Sequence, residues 1–142
     1  MTARLQFEVR GIPVPYSLKG GGNIHTTPAL KAWKLRVKEA CEAAIDAGGW
    51  VQLSGVPVRL EVEFFLLRRG RPKKGAAADW PIQKPDHLSL LRPVEDAMTQ
   101  AGAWDDDCQV VDSRDRKWWA AAGAEASPAA GLVGVRIWCS EV

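Results

Sequence analysis

Alternation of apolar and polar residues predicts four strands along this chain. Residues 5–9 alternate with period two, as a strand with one buried face does, and a glycine and two prolines follow. The same alternation runs through 56–67 and gives the clearest strand in the sequence. Residues 109–119 and 132–139 predict two more strands, with the small residues of 120–131 as a hairpin loop between them.

A first helix is predicted from Pro28 to Ala47. Thr27 can cap its free N–H groups, and proline is tolerated in a first helical turn. Apolar residues recur at steps of three and four, namely Leu30, Trp33, Val37, Cys41 and Ile45. We expect this stripe to pack into the core, with a groove for a partner as the alternative, and Gly48-Gly49 to end the helix.

A second helix is predicted within residues 89–101, with Gly102 as its end. Pro93 affects its start, because proline lacks an amide donor and crowds the preceding turn. The regular helix therefore begins close to Arg92, or its first turn is bent.

These elements predict a single α/β (α+β) domain over residues 1–142, in the order β-α-β-α-β-β. A chain of 142 residues suits one domain with a substantial core. Helices that connect strands need a sheet to cover, which indicates a mixed sheet covered by two helices.

Charge is distributed unevenly, although the formal net charge is only +2. One basic run contains Arg68, Arg69, Arg71, Lys73 and Lys74. Such residues could contact nucleic-acid phosphates, or the run could be an ordinary solvated loop. Further candidates for phosphate contact are Lys84, Arg114, Arg116 and Lys117, of which Arg114 and Arg116 share a face of the third strand, and an exposed sheet face is the alternative.

The three cysteines are widely spaced and form neither a CxxC nor a zinc pattern. We expect reduced thiols in a cytoplasmic protein. The N-terminus lacks the apolar stretch of a signal peptide, and no window approaches the roughly 18 apolar residues of a membrane span.

Acidic residues bracket the second predicted helix. Asp86 precedes it and Asp105, Asp106 and Asp107 follow it. A helix of roughly 15 residues is only about 22 Å long, so a returning strand could bring both ends to one site. Adjacent aspartates repel one another, which raises the pKa of one or more of them unless a cation or hydrogen-bond donors offset the effect. A metal site is one explanation, and a solvated turn is the other.

The second predicted helix carries Asp96-Ala97-Met98, then Ala101-Gly102 and an aromatic residue, and Asp-Asp-x-Gln-Val-Val stands at 106–111. With these motifs, residues 84–112 resemble the RusA family of Holliday junction resolvases. The Gly-x-Pro-x-Pro loop at 11–15, with the strand before it and the helix after it, extends the resemblance over nearly the whole chain.

The first half of the motif departs from the family. Where the family typically reads Asp-x-Asp-Asn-Leu-x-Lys, this chain keeps Asp86 but has Leu88 at the second acid and Ser89 at the asparagine. Arg92 keeps the basic charge of the last position. Leucine cannot bind a cation, so we expect weaker metal binding.

The resemblance implies a homodimeric, metal-dependent endonuclease that cuts four-way DNA junctions by paired symmetric nicks in recombination and repair. It implies that Asp86 and Asp107 are catalytic metal ligands with Asp106 close by, that Asp96 supports the site, and that Arg92 holds the scissile phosphate. Oxygen ligands of this kind select Mg²⁺ or Mn²⁺. His87 could fill the missing ligand position, or it could be an exposed or hydrogen-bonded histidine.

Two other hypotheses remain open. Leu88 favours a junction-DNA-binding protein on the same fold with weakened or absent catalysis. Alternatively, the aspartates form a solvated turn in an unrelated interaction domain. The aromatic residues Trp80, Trp104, Trp118 and Trp119 could stack on unpaired bases, or they could belong to the core or a dimer interface.

Overall fold

The computed structural model describes residues 3–17, 26–67, 80–82, 85–120 and 132–142. Its elements are β1 (Arg4–Arg10), α1 (Pro28–Gly48), β2 (Val58–Leu66), α2 (His87–Ala101), a short 3-10 helix (Asp107–Gln109), β3 (Val110–Trp119) and β4 (Gly134–Glu141). The predicted order β-α-β-α-β-β is confirmed.

The four strands form one mixed sheet in the order β1-β4-β2-β3. β4 is antiparallel to both of its neighbours, whereas β2 and β3 are parallel and are connected through α2. The predicted mixed sheet is confirmed, but the hairpin predicted at 120–131 is wrong, because β2 lies between β3 and β4. The crossover through α2 gives β3 one edge of β2, and β4 therefore pairs with the other edge.

Both helices cover the same face of the sheet. One apolar cluster joins Leu60 and Phe64 of β2 with Val37 of α1 and Val94 and Met98 of α2. The opposite face is largely charged and carries a smaller cluster of Phe65, Trp118, Ala120 and Leu132. All three cysteines are free thiols. Neither described helix has the length and apolar character that crossing a bilayer demands.

Local signals set the limits of α1, as predicted. The N–H of Leu30 donates to the Thr27 hydroxyl oxygen over 3.1 Å, and Gly49 adopts the left-handed conformation (φ 65°) that ends the helix. Leu30, Trp33, Val37 and Cys41 are buried, so the stripe belongs to the core.

α2 starts at His87 and contains Pro93, so it does not begin near Arg92. Proline has no N–H, and the Ser89 carbonyl four residues earlier lacks its usual helical donor. The N–H of Tyr16 donates to that carbonyl over 2.9 Å. The segment that follows β1 is thereby docked on α2, and the cost of a proline inside the helix is reduced.

Candidate functional site

The three consecutive aspartates have different surroundings. Asp105 accepts hydrogen bonds from the side chains of Gln52 and Ser54, the latter over 3.1 Å. Asp106 caps the 3-10 helix, where the N–H of Cys108 donates to it over 3.0 Å and holds its pKa below the usual value. Two of the aspartates therefore have identifiable structural roles in the turn.

Gln109 holds this turn in place. Its Oε1 accepts from the N–H groups of Asp105 and Asp106 over 2.9 and 3.0 Å. Its Nε2 donates to the carbonyls of Leu53 and Val56, each over 3.1 Å. One side-chain amide thus fixes the turn to the segment before β2 and determines the position of Asp107.

Asp107 lies close to α2. Burial raises its pKa most, the hydrogen bond with Asp106 and the charges of Asp106 and Asp96 raise it further, and Arg92 lowers it. The structure therefore brings this aspartate, predicted as a catalytic metal ligand, within electrostatic reach of Asp96 and Arg92.

Asp96 connects α2 to α1. Its Oδ2 accepts a hydrogen bond from the Tyr16 hydroxyl and lies 3.6 Å from Lys34 Nζ. Lys34 in turn donates to the Tyr16 hydroxyl over 3.1 Å. Asp96 is therefore tied to α1 through Lys34 and to the segment after β1 through Tyr16.

A second charged group surrounds the N-terminus of α2. Asp86 caps the helix, and the N–H of Ser89 donates to it over 2.8 Å. This bond is the main cause of the lowered pKa of Asp86, to which the charges of His87 and Lys117 add. His87 Nδ1 lies 2.7 Å from the Asp115 carboxylate, so His87 is a hydrogen-bonded histidine.

Glu95 is influenced electrostatically by residues of both charged groups, and it was missed by the sequence reasoning. Burial raises its pKa to about 7, the charges of Asp107, Asp96 and Asp115 add to the effect, and Arg92 opposes it. Asp107 belongs to the acidic turn, whereas Asp115 contacts His87. Glu95 is therefore within electrostatic reach of both groups.

The signal that could have identified Glu95 is its helical spacing. It follows Leu88 by seven residues and Arg92 by three, which places all three on one face of α2. Leu88 is 61% exposed, so this position contributes little to the core. Asp115 was also missed, and its only signal was that it shares a strand face with Lys117.

The donors have the chemistry that a hard divalent cation requires. They are carboxylate oxygens, which Mg²⁺ and Mn²⁺ prefer. Burial raises the pKa values of Asp107 and Glu95 most, and repulsion from the other carboxylates raises them further. A bound cation would offset this repulsion. Within the described ranges, no three Asp, Glu, His or Cys side chains are already arranged to hold one metal ion.

The basic residues predicted to contact DNA divide between two faces of β3. Arg114 and Arg116 line one hollow on the open sheet face, as their shared strand face predicts. Lys117 pairs in register with the core residue Phe64, lies on the helix side and donates to the Pro85 carbonyl over 2.9 Å. The other predicted contacts lie outside the described residues, namely Arg68, Arg69, Arg71, Lys73, Lys74 and Lys84.

Comparison with known families assigns the chain to the endodeoxyribonucleases. Residues 7–126 match the family described as Endodeoxyribonuclease RusA. Because the match covers most of the chain, the protein belongs to the RusA family, and the resemblance inferred from residues 84–112 is confirmed. Membership implies endonuclease activity on Holliday junctions. No match was found among curated proteins.

Proposed function

We propose that this protein is a metal-dependent, structure-selective endonuclease that resolves four-way DNA junctions in recombination and repair. It would act as a homodimer, because two symmetric nicks are needed to resolve one junction. The observation that carries the proposal is the placement of Asp107, which Gln109 holds beside the face of α2 that bears Arg92 and Glu95.

Asp86 and Asp107, with Asp106 close by, would hold Mg²⁺ or Mn²⁺. When bound, such an ion lowers the pKa of a water molecule and neutralises charge on the scissile phosphate. Asp86 contributes a carboxylate whose position is fixed by its bond to the Ser89 N–H. Asp106 caps the 3-10 helix that begins at Asp107, and this capping bond orients the turn that carries Asp107.

Arg92 is the candidate for holding the scissile phosphate. Its planar guanidinium can donate two parallel hydrogen bonds to phosphate oxygens. It lies within electrostatic reach of Asp107 and Glu95, so a bound phosphate would adjoin the carboxylates. Asp96 would keep α2 in register through Tyr16 and Lys34.

Glu95 would supply a negative charge that Leu88 does not. Both residues lie on the same face of α2, and Glu95 interacts with Asp107. The Glu95 carboxylate lies two helical turns from position 88, where the family has its second acid. Its charge would keep the site attractive to a divalent cation although Leu88 has none.

The direct assay is cleavage of a synthetic four-way junction with Mg²⁺ or Mn²⁺. We expect paired nicks with the native protein and a loss of about a hundredfold or more in Asp107→Asn, because a bound ion would lose a ligand. Asp105→Asn is the matched control, because the Asp105 carboxylate contacts Gln52 and Ser54. Junction cleavage by the Asp105→Asn protein should persist. Intact junctions at every concentration of either metal would contradict the nuclease proposal.

The second candidate function is junction binding with weakened or absent cleavage. The exposed Leu88 favours it, since 61% exposure means that packing in the core does not require a leucine at this position. Leu88→Asp should then raise cleavage strongly while junction affinity stays nearly constant. If the native protein binds junctions without cutting them and Leu88→Asp creates activity, the binding role is supported. Equal cleavage by both proteins would count against it.

A further inference from the structure

The structure separates the four tryptophans that the sequence singled out for base stacking. Trp104 is completely buried, and Trp118 and Trp119 are 9% exposed. Trp80 is 44% exposed. Of these four side chains, Trp80 therefore has the most surface available to a nucleobase.

The ring of Trp80 is held on one side. It stacks on Trp118 with ring centroids 4.9 Å apart and an interplanar angle of 30°. Trp118 is fixed in turn, because its Nε1 donates to Glu63 over 2.8 Å and its ring packs with Phe65. Trp80 thus presents a supported aromatic surface, and little side-chain freedom remains to be lost when a ligand stacks on it.

A hollow of about 300 Å³ adjoins this ring at the β3 edge. Trp80, Pro81 and the exposed side chain of Ile82 form its apolar part. Its other lining residues include His87 and Arg116. His87 is the first residue of α2 and follows Asp86 directly, so the hollow lies beside the proposed cleavage site.

We propose that this hollow binds one unpaired nucleobase of the branched DNA, stacked against Trp80. The proposal rests on the proposed function of the neighbouring site. The volume lies at the small end of ligand pockets and suits a single flat ring system. Aromatic stacking accepts any base, and the guanidinium of Arg116 provides a charge for the adjoining phosphate.

Such a site would favour branched over linear DNA. Taking a paired base out of a continuous duplex costs about as much as stacking on one aromatic ring returns. A base at a branch point that is already unpaired avoids most of that cost. The hollow would therefore hold a junction at its centre, next to the carboxylates, and would add nothing to the binding of an intact duplex.

The test uses a four-way junction with 2-aminopurine beside the branch point, bound by the Asp107→Asn protein so that cleavage does not interfere. We expect 2-aminopurine fluorescence to be quenched on binding. Adding Trp80→Ala should abolish the quenching and weaken junction affinity about 5- to 100-fold, whereas Trp80→Phe should keep most of both. Affinity for a linear duplex should not change.

Trp138→Ala is the matched control. Trp138 is also a partly exposed tryptophan beside an arginine, with Arg4 5.9 Å from its ring centroid, but it lies on β4, two strands from β3. Its loss should leave the quenching intact. Equal quenching with and without the Trp80 ring would overturn the proposal. So would dissociation of a dimer by Trp80→Ala in sedimentation, which would identify the hollow as an interface between copies.

The outcomes distinguish this proposal from the nuclease proposal. Junctions that are bound and cut without Trp80-dependent quenching overturn the base site alone. Junctions that are bound with quenching by Trp80 but never cut overturn the nuclease proposal alone. A protein that binds no junction at low salt contradicts both.

Discussion

The backbone N–H of Tyr16 donates a hydrogen bond to the carbonyl of Ser89 over 2.9 Å. That carbonyl is available because Pro93 has no N–H to complete the helical bond. The Tyr16 hydroxyl also binds Asp96, seven residues further along the same helix face. A residue that weakens the helix locally thus provides the point at which the segment after β1 attaches to the site helix.

Pro93→Ala should loosen this attachment. The new N–H competes for the Ser89 carbonyl, and weakening one hydrogen bond by about 1 kcal/mol corresponds to roughly fivefold faster exchange of the Tyr16 amide. Global stability should rise by at most about 3 kcal/mol, because alanine is the better helix former. Amide hydrogen exchange measures the first effect. Pro57→Ala, outside α2, is the control, and an unchanged Tyr16 exchange rate in Pro93→Ala would contradict the role assigned to Pro93.

Gln109→Glu should destabilise the acidic turn. The carboxylate can still accept from Asp105 and Asp106, but it cannot donate to the carbonyls of Leu53 and Val56. We expect a loss of about 2–3 kcal/mol in urea unfolding and a fall in junction cleavage as Asp107 loses its fixed position. The exposed Gln100 offers the same substitution as a control, with an expected change within about 0.5 kcal/mol.

Asp86 allows its capping and its charge to be tested separately. Asparagine caps a helix as well as aspartate does, so Asp86→Asn should keep the melting temperature close to that of the native protein. Asp86→Ala should lower it by about 3 °C through loss of the cap. Both variants should lose metal-dependent cleavage if the carboxylate binds the ion. Full cleavage by Asp86→Asn would limit Asp86 to a structural role.

Glu95 should make stability depend on pH in metal-free buffer. Its folded pKa of about 7 lies above the ordinary value of 4.5, because burial and then the charges of Asp107, Asp96 and Asp115 outweigh Arg92. The folded state therefore binds the proton more tightly, and stability falls as pH rises from about 4.5 to about 7 and stays lower above that range.

Glu95→Gln should remove this fall. After allowance for solvent screening, we expect it to be about 1–2 kcal/mol more stable than the native protein at pH 8, relative to their difference at pH 4. Urea unfolding at the two pH values gives the comparison, with Glu39→Gln on the exposed side of α1 as control. The same pH slope in the native and Glu95→Gln proteins would refute the assigned environment.

Features with local signals were predictable from the sequence. Thr27 and Gly49 lie next to the ends of α1 that they determine, and the motif around Asp107 identified the family. Non-local features were not. The position of β4 in the sheet depends on which edge of β2 remains free after the crossover through α2 has placed β3. The sequence of the loop between β3 and β4 contains no signal for this choice.

The helical spacing of Glu95 did not reveal its role, for a related reason. Glu95 shares a helix face with Leu88 only if one regular helix contains both residues. Pro93 instead indicated that the regular helix begins later, close to Arg92. The structure keeps the helix continuous because Tyr16, distant in sequence, supplies the missing donor. Two of the four hydrogen bonds of Gln109, those to the carbonyls of Leu53 and Val56, likewise join segments more than fifty residues apart.

Mn²⁺ titration followed by electron paramagnetic resonance tests the central claim most directly, because it reports metal binding without requiring turnover. The native protein should bind Mn²⁺, Asp107→Asn should bind it about tenfold or more weakly, and Asp105→Asn should match the native protein. Equal Mn²⁺ affinity in the Asp107→Asn and native proteins, or no binding by the native protein, would contradict a metal site at Asp107.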